Sequence, residues 1–349
     1  MIALTPVGGP ASWRRADLED DSSWWHRFDE AEIAELDAAL ATLRAAHPDL
    51  DLRQVTTADF PLPTLGGELG RLRRRLIEGR GVMVYDGVPV DRYGTEELRA
   101  IWWGISLHLG TPVPQSWRGD MIGDVRDIGT GIDGKAGRGY TSNVELNFHS
   151  DAADASGLFF LRQGATGGVT RLASSVAVHD EILRRRPDLL EVLYRPFTVS
   201  WQSNEPPGAR PWYELPVYGR VGGDLACAFV RTNILRAEQN CGAPPLTAEQ
   251  VEAVELVAAV AAEPGMWVER TLPAGAMLFV NNHTVFHMRT AFTDHPDPAP
   301  KRHLLRVFLS LPNGRALPDS FATFFGDIRA GAVRGGYPSR TPEPRFTTI

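Results

Sequence analysis

The sequence predicts an α+β fold: a double-stranded β-helix, or jelly roll, with helices packed outside the sheets. Three observations lead there. Short β-rich runs with irregular connections recur through the middle and end of the chain, and segments of helical period flank them. In addition, two distant segments, Phe148-His149-Ser150-Asp151 and Asn281-Asn282-His283-Thr284-Val285-Phe286-His287-Met288-Arg289, carry side chains that suit a single metal ion.

The 349 residues read as one unit, because no Pro/Gly/Ser-rich linker divides them. A helical buttress covers about 1–80, a jelly-roll core with helical insertions about 81–315, and a C-terminal tail about 316–349. A hydrophobic content of 43% supports a large core, and 36 basic against 43 acidic residues, with no dense Lys/Arg run, argue against a nucleic-acid partner. Arg73-Arg74-Arg75 reads as a solvated helix face. No apolar run approaches the roughly 20 residues of a membrane span, and residues 1–10 lack a secretory pattern. Two cysteines, Cys227 and Cys241, are too few for a disulfide framework and suit reduced thiols in a cytoplasmic protein. Nothing in the pattern decides between a monomer and a homo-oligomer.

Taken in order, Asp29 with Glu32 forms a capping box for a helix carrying Ile33, Leu36, Leu40 and Leu43, which Pro48 ends. A second helix runs from Thr64 through Leu65, Leu69, Leu72 and Leu76 to Gly79. The β-rich Val82-Met83-Val84-Tyr85 follows, then a helix from Thr95 to Leu109 whose Trp102 and Trp103 belong in a core. Residues 111–147 are rich in Gly and Asp with little periodicity, which suits either a lid over a site or an ordinary surface loop; the 134–139 stretch lacks a phosphate-loop pattern. After a buried strand at Gly157-Leu158-Phe159-Phe160-Leu161, Gly167-Gly168 turns the chain into Val169-Thr170-Arg171-Leu172, and Ser175 is placed to cap a helix with Val178 and Ile182 inward. His179 on that helix suits the surface or the core. Strands are expected at 197–201, 212–218, 225–231, 267–271, 277–281 and 304–311, and a helix capped by Thr247 with Gln250 carries Val251, Val254 and Val257. Phe321, Phe324 and Phe325 should dock on the core, and 330–349, rich in Gly, Pro and Arg, should be poorly ordered.

The chemistry rests on side-chain direction. In an extended strand, residues i and i+2 share a face, so His149 and Asp151 can address one metal while Ser150 points away. A third ligand must come from elsewhere, and His287 follows the strand-like Met277-Leu278-Phe279-Val280. Two imidazoles and one carboxylate on one face leave open positions opposite, as non-heme Fe(II) oxygenases require. His283 is not expected to ligate. Arg302 and Arg306 read alone as solvated strand-edge charges; beside such a site, a guanidinium fork can hold the far carboxylate of a metal-chelating dicarboxylate.

From about Trp13 to about Phe325 the chain resembles the taurine dioxygenase (TauD/TfdA) family within the clavaminate synthase-like superfamily. The motifs that carry the resemblance are Phe148-His149-Ser150-Asp151 with Gly157-Leu158, Gly167-Gly168-Val169-Thr170, Arg186-Pro187-Asp188-Leu189-Leu190, Asn282-His283-Thr284, Arg289-Thr290-Ala291-Phe292 and Arg302-His303-Leu304-Leu305-Arg306. By that resemblance His149, Asp151 and His287 bind iron, Thr170 and Arg302 hold 2-oxoglutarate, and Arg306 reaches cosubstrate or substrate. It departs from relatives at Ser150, often Thr, and at Met288, often acidic. The implied activity is an Fe(II)- and 2-oxoglutarate-dependent dioxygenase that consumes O2, releases succinate and CO2, and hydroxylates, desaturates or cyclises a small molecule such as an amino-acid-derived or specialised metabolite. Asp151 argues against a halogenase, since related halogenases replace this carboxylate. Asn143, Asn147, Trp201, Arg231, Asn282 and Arg289 are the candidate substrate-wall residues. Two other readings share the fold: a cupin-like metal enzyme that needs no 2-oxoglutarate, and a non-catalytic binding protein.

Overall fold

The computed structural model describes residues 4–129, 139–296 and 301–348. Two sheets carry the site. The larger runs Trp25–Arg27, Val82–Asp86, Met277–Asn281, Ala155–Arg162, His303–Ser310 and Thr111–Val113, with Gly123–Val125 also paired to His303–Ser310. The smaller runs Trp267–Arg270, Thr170–Ser174, Val285–Arg289 and Leu146–His149. Leu172, Val268 and Val285 of the smaller sheet share a buried cluster with Phe160, Leu278 and Leu304 of the larger, so the two sheets sandwich one core.

Strand sequences follow from what covers each face. Val82–Asp86 and Met277–Asn281 are buried along their whole length, because the helices Leu65–Glu78 and Thr95–Leu109 cover the outer face of the larger sheet; such strands read as continuous apolar runs. Trp102 of the second helix packs on Phe159 and Phe279 with ring centroids 5.6 and 5.5 Å away. A methyl at Gly157 would lie 2.8 Å from that indole, so the position admits no side chain. Val285–Arg289 is buried along its whole length too, but its two faces differ in character. Phe286 and Met288 point outward into a second core with Val178, Ile182, Val254 and Val257 from the helices Ser175–Arg185 and Ala248–Ala262, leaving Val285, His287 and Arg289 on the inner face.

Several expectations need correction. Ser174, not Ser175, caps its helix, accepting from the Ala177 N–H at 2.9 Å. The strand expected over 212–218 is two, Trp212–Leu215 and Tyr218–Val221, split by Pro216, which has no N–H to donate. The strand expected over 225–231 is Asp224–Cys227, and Arg231 opens a short helix. The buttress contains the edge strand Trp25–Arg27, parallel to Val82–Asp86. Of 111–147, two stretches are strands of the larger sheet, and 130–138, which includes 134–138 of the stretch that lacks a phosphate-loop pattern, lies outside the described residues. The tail is not loose: Arg334 is buried against Asp154, the Phe346 ring meets Trp103 edge-on, and the Thr348 N–H donates to Asp124. His179 is a core histidine, satisfied by Tyr194 and Asp180. No helix among the described residues is long and apolar enough to cross a membrane.

Candidate metal and anion centre

Strand pairing brings two of the three metal-ligand candidates together. Leu146–His149 and Val285–Arg289 are antiparallel with His149 opposite His287, and the two imidazole centroids are 4.3 Å apart. Asp151 joins them from just past the strand end, with Oδ2 3.5 Å from His287 Nε2. The potential ligand atoms of His149, Asp151 and His287 all lie within 4.8 Å of one another. Asp151 lies two residues past the end of the strand at His149, so the sheet ladder does not hold it. Hydrogen bonds place the carboxylate instead: Asp151 N–H donates to Asn282 Oδ1, and Ser156 Oγ donates to Asp151 Oδ2.

Electrostatics prepare the group for a cation. Burial pushes the His149 imidazole down to about 4, helped by the neighbouring His287 and opposed by Asp151. Its Nδ1 lies 2.8 Å from the Asn147 carbonyl, which can only accept, so Nδ1 carries the proton and Nε2 offers a lone pair. Burial alone would raise the Asp151 carboxyl, yet Arg306, His287 and His149 hold it far below the ordinary range. His283 takes no part; its Nε2 pairs with Asp154.

Arg289 stands two residues beyond His287 on the same strand face, with Thr170 directly opposite. Arg302, 1% exposed, lies beside it: both guanidiniums sit over the Phe292 ring, at 4.7 and 4.9 Å. Gly168, at φ +68°, makes the room, since a Cβ there would approach Arg302 Nε to 2.9 Å. Arg289 Nη2 donates to the Val144 carbonyl. Nε and Nη1 of both arginines are buried without a hydrogen-bond partner, and neither arginine has a carboxylate in salt-bridge range among the described residues. Burial and the Arg289 charge push Arg302 down to about 9, and burial pushes Arg289 to about 10. Two adjacent buried cations without an acid are costly alone and suit an anion with two acceptor oxygens.

Arg306 is differently employed. Its Nε donates to Gln115 Oε1 at 2.8 Å and its Nη1 to Asp151 Oδ1 at 3.3 Å, between the Tyr140 and Phe308 rings. It faces a cavity of about 660 Å³ that also exposes His149 and Asp151 and is walled by Tyr213, Phe308, Phe324 and Tyr337, with Gln202 and Asn233 among its polar lining. Of the wall candidates, Asn147 and Arg231 line this cavity, and Arg231 is clamped by Glu255. The other four do not line it. Asn143 is exposed and lends its carbonyl to Phe292 N–H. Trp201 is buried behind the wall against Tyr213 and Phe324, Asn282 is buried under residues 151–156, and Arg289 lies beside Arg302. Gln115, Tyr140, Tyr213 and Tyr337 were missed; they come from separate elements and no local motif marks them.

The comparisons agree with this architecture. The sequence pattern of the family described as "Taurine catabolism dioxygenase TauD, TfdA family" matches residues 30–308. The chain is 32% identical to FR-33289 synthase of Streptomyces rubellomurinus over 341 residues, covering 95% of this chain and 98% of that one. It is 30% identical to the taurine hydroxylase-like protein SAT17 of Stachybotrys chartarum over 290 residues, covering 80% and 73%. Among solved structures, asparagine oxygenase with Fe(II), 3-hydroxyasparagine and succinate superimposes with a TM-score of 0.62 at 20% identity, over 82% of this chain and 93% of that one. The non-heme iron oxygenase OrfP with Fe and alpha-ketoglutaric acid gives 0.58 at 19%, over 82% and 94%; both share the fold. The chain belongs to the TauD, TfdA family and is an Fe(II)- and 2-oxoglutarate-dependent dioxygenase.

Proposed function

We propose that His149, Asp151 and His287 hold Fe(II), that Arg302 with Arg289 and Thr170 receives the distal carboxylate of 2-oxoglutarate, and that a small polar molecule is oxidised at an aliphatic carbon in the adjoining cavity. The observation that carries this reading is the unpaired guanidinium pair on the face of the His287 strand. Side chains two residues apart on a strand are about 7 Å apart, a separation that suits a five-carbon dicarboxylate held at both ends. Fe(II), 2-oxoglutarate and O2 supply an oxidant that removes hydrogen from carbon, with release of succinate and CO2. The chain's own contribution is positioning: Arg306 steadies Asp151, and Tyr213, Phe308, Phe324 and Tyr337 wall off water. Asp151 occupies the place a halide would need, which favours hydroxylation over halogenation.

A cupin-like enzyme without 2-oxoglutarate would leave the Arg289–Arg302 pair with no counter-charge, which weighs against that alternative. The polar lining of the cavity, and the hydroxylated amino acids bound to asparagine oxygenase and OrfP, support an amino-acid-derived or specialised metabolite as substrate. The test is succinate formation with Fe(II), O2 and 2-oxoglutarate across a panel of amino acids, short peptides and specialised metabolites. Substrate-stimulated succinate with a matching gain of one oxygen in the product is expected. Turnover unaffected by every polar candidate, but stimulated by an apolar hydrocarbon, would overturn the substrate class.

A further inference from the structure

Beneath the candidate metal site, the hydrogen-bond directions leave one arrangement. Asn282 Oδ1 faces the Asp151 N–H at 3.1 Å, a donor, so the other end of the amide is NH2. That NH2 reaches the Ala153 carbonyl at 3.1 Å and Ser156 Oγ at 3.0 Å, and donates to both. The Asn282 N–H is taken by the Asp154 carbonyl at 3.0 Å. Because Ser156 Oγ accepts from Asn282, its own proton is directed at Asp151 Oδ2, 2.7 Å away. Ser156 and Asn282 are each 1% exposed, so no bulk water competes. The opposite oxygen of Asp151 receives the longer 3.3 Å contact from Arg306.

Resting on the iron site proposed above, we propose that Ser156, oriented by Asn282, is a positioning residue that fixes which oxygen of Asp151 meets the metal. Ser156 grips the oxygen that lies nearer His287, while Arg306 pulls on the other. With the serine hydroxyl gone, the carboxylate swings toward Arg306 and presents the metal with a less favourable geometry. Partners of this kind are generally worth about 10- to 100-fold in metal affinity.

The experiment titrates the full-length, metal-free protein anaerobically with Co(II), following heat and the visible d–d spectrum. Wild type, Ser156→Ala and Ser156→Thr are compared, and the thermal midpoint of each metal-free protein is recorded. Ser156→Ala is expected to bind Co(II) about 10-fold or more weakly, with a changed d–d envelope and an almost unaltered midpoint, whereas Ser156→Thr keeps the hydroxyl and the wild-type spectrum. Equal affinity and spectrum in wild type and Ser156→Ala would overturn the role of Ser156 while leaving the iron site standing. Affinity lost only in proportion to a lowered midpoint would assign Ser156 to the fold and also overturn it. Absence of Co(II) binding by the wild type would overturn both readings.

Discussion

Two of the arginines that this molecule buries almost completely, Arg334 and Arg302, are held on opposite terms. Arg334, 3% exposed, donates to Asp154 at 2.7 Å, and the same aspartate receives His283 and the Leu311 N–H. Arg302, 1% exposed, has another arginine for its neighbour and no acid in salt-bridge range among the described residues. The first cation is balanced within the chain and ties the tail to the core. The second has no counter-charge in salt-bridge range among the described residues, and in the function proposed above the anionic cosubstrate supplies it. Burial is therefore not the signal of function here; the missing counter-charge is.

That contrast can be broken by mutation. The largest effect should be on stability at the balanced site: Arg334→Ala leaves Asp154 charged and buried with one partner fewer, at a cost of about 3–5 kcal/mol, read as a lowered denaturant midpoint with the denaturant slope unchanged. At the unbalanced site the same substitution should act on binding instead. Arg302→Ala should weaken 2-oxoglutarate by about 2–5 kcal/mol, or roughly 30-fold upward, measured by calorimetry, while the ligand-free midpoint holds or rises because a repulsive buried charge is gone. If Arg302→Ala destabilised the ligand-free fold as severely as Arg334→Ala, the distinction would collapse.

A smaller effect concerns pH and sharpens the contrast at the metal end. The His149 imidazole titrates at about 4 in the folded protein, below its ordinary 6.5. Between those values the unfolded chain takes up a proton that the folded chain refuses, so stability falls as pH drops through that window and is unaffected above it. The thermal midpoint of the metal-free wild type should therefore fall more steeply from pH 6.5 to 4.5 than that of His149→Gln. Parallel acid limbs would mean that His149 is not held neutral by its surroundings.

How much of this was legible beforehand depended on whether the determinant was local. His149, Asp151 and His287 could be picked out as ligand candidates because ligand chemistry is written in residue type; strand pairing then brings the two histidines together, and hydrogen bonds to Asn282 and Ser156 bring Asp151 to them. The fully buried strands and capped helices were legible for the same reason, through apolar runs and capping boxes. Arg289 was misplaced on the substrate wall: the i+2 rule puts it on the His287 face, but not on the side of that face where Arg302 lies. Asn282 was misplaced because its contacts are set by residues 151–156, distant in sequence. The tail's order was hidden because Trp103, Asp124 and Asp154 hold it, and nothing in a Gly/Pro/Arg-rich stretch announces such partners.

In the function proposed above, the three-residue metal group and the guanidinium pair serve the two ends of one molecule. Anaerobic titration of the Fe(II)-loaded protein with 2-oxoglutarate and with pyruvate, which lacks the distal carboxylate, tests it through the charge-transfer absorption of a chelated 2-oxo acid. Wild type should prefer 2-oxoglutarate by at least about 30-fold, and Arg302→Ala should bring that preference close to one by losing affinity for 2-oxoglutarate alone. A preference that survived intact in both Arg302→Ala and Arg289→Ala would mean that the guanidinium pair does not hold the distal carboxylate.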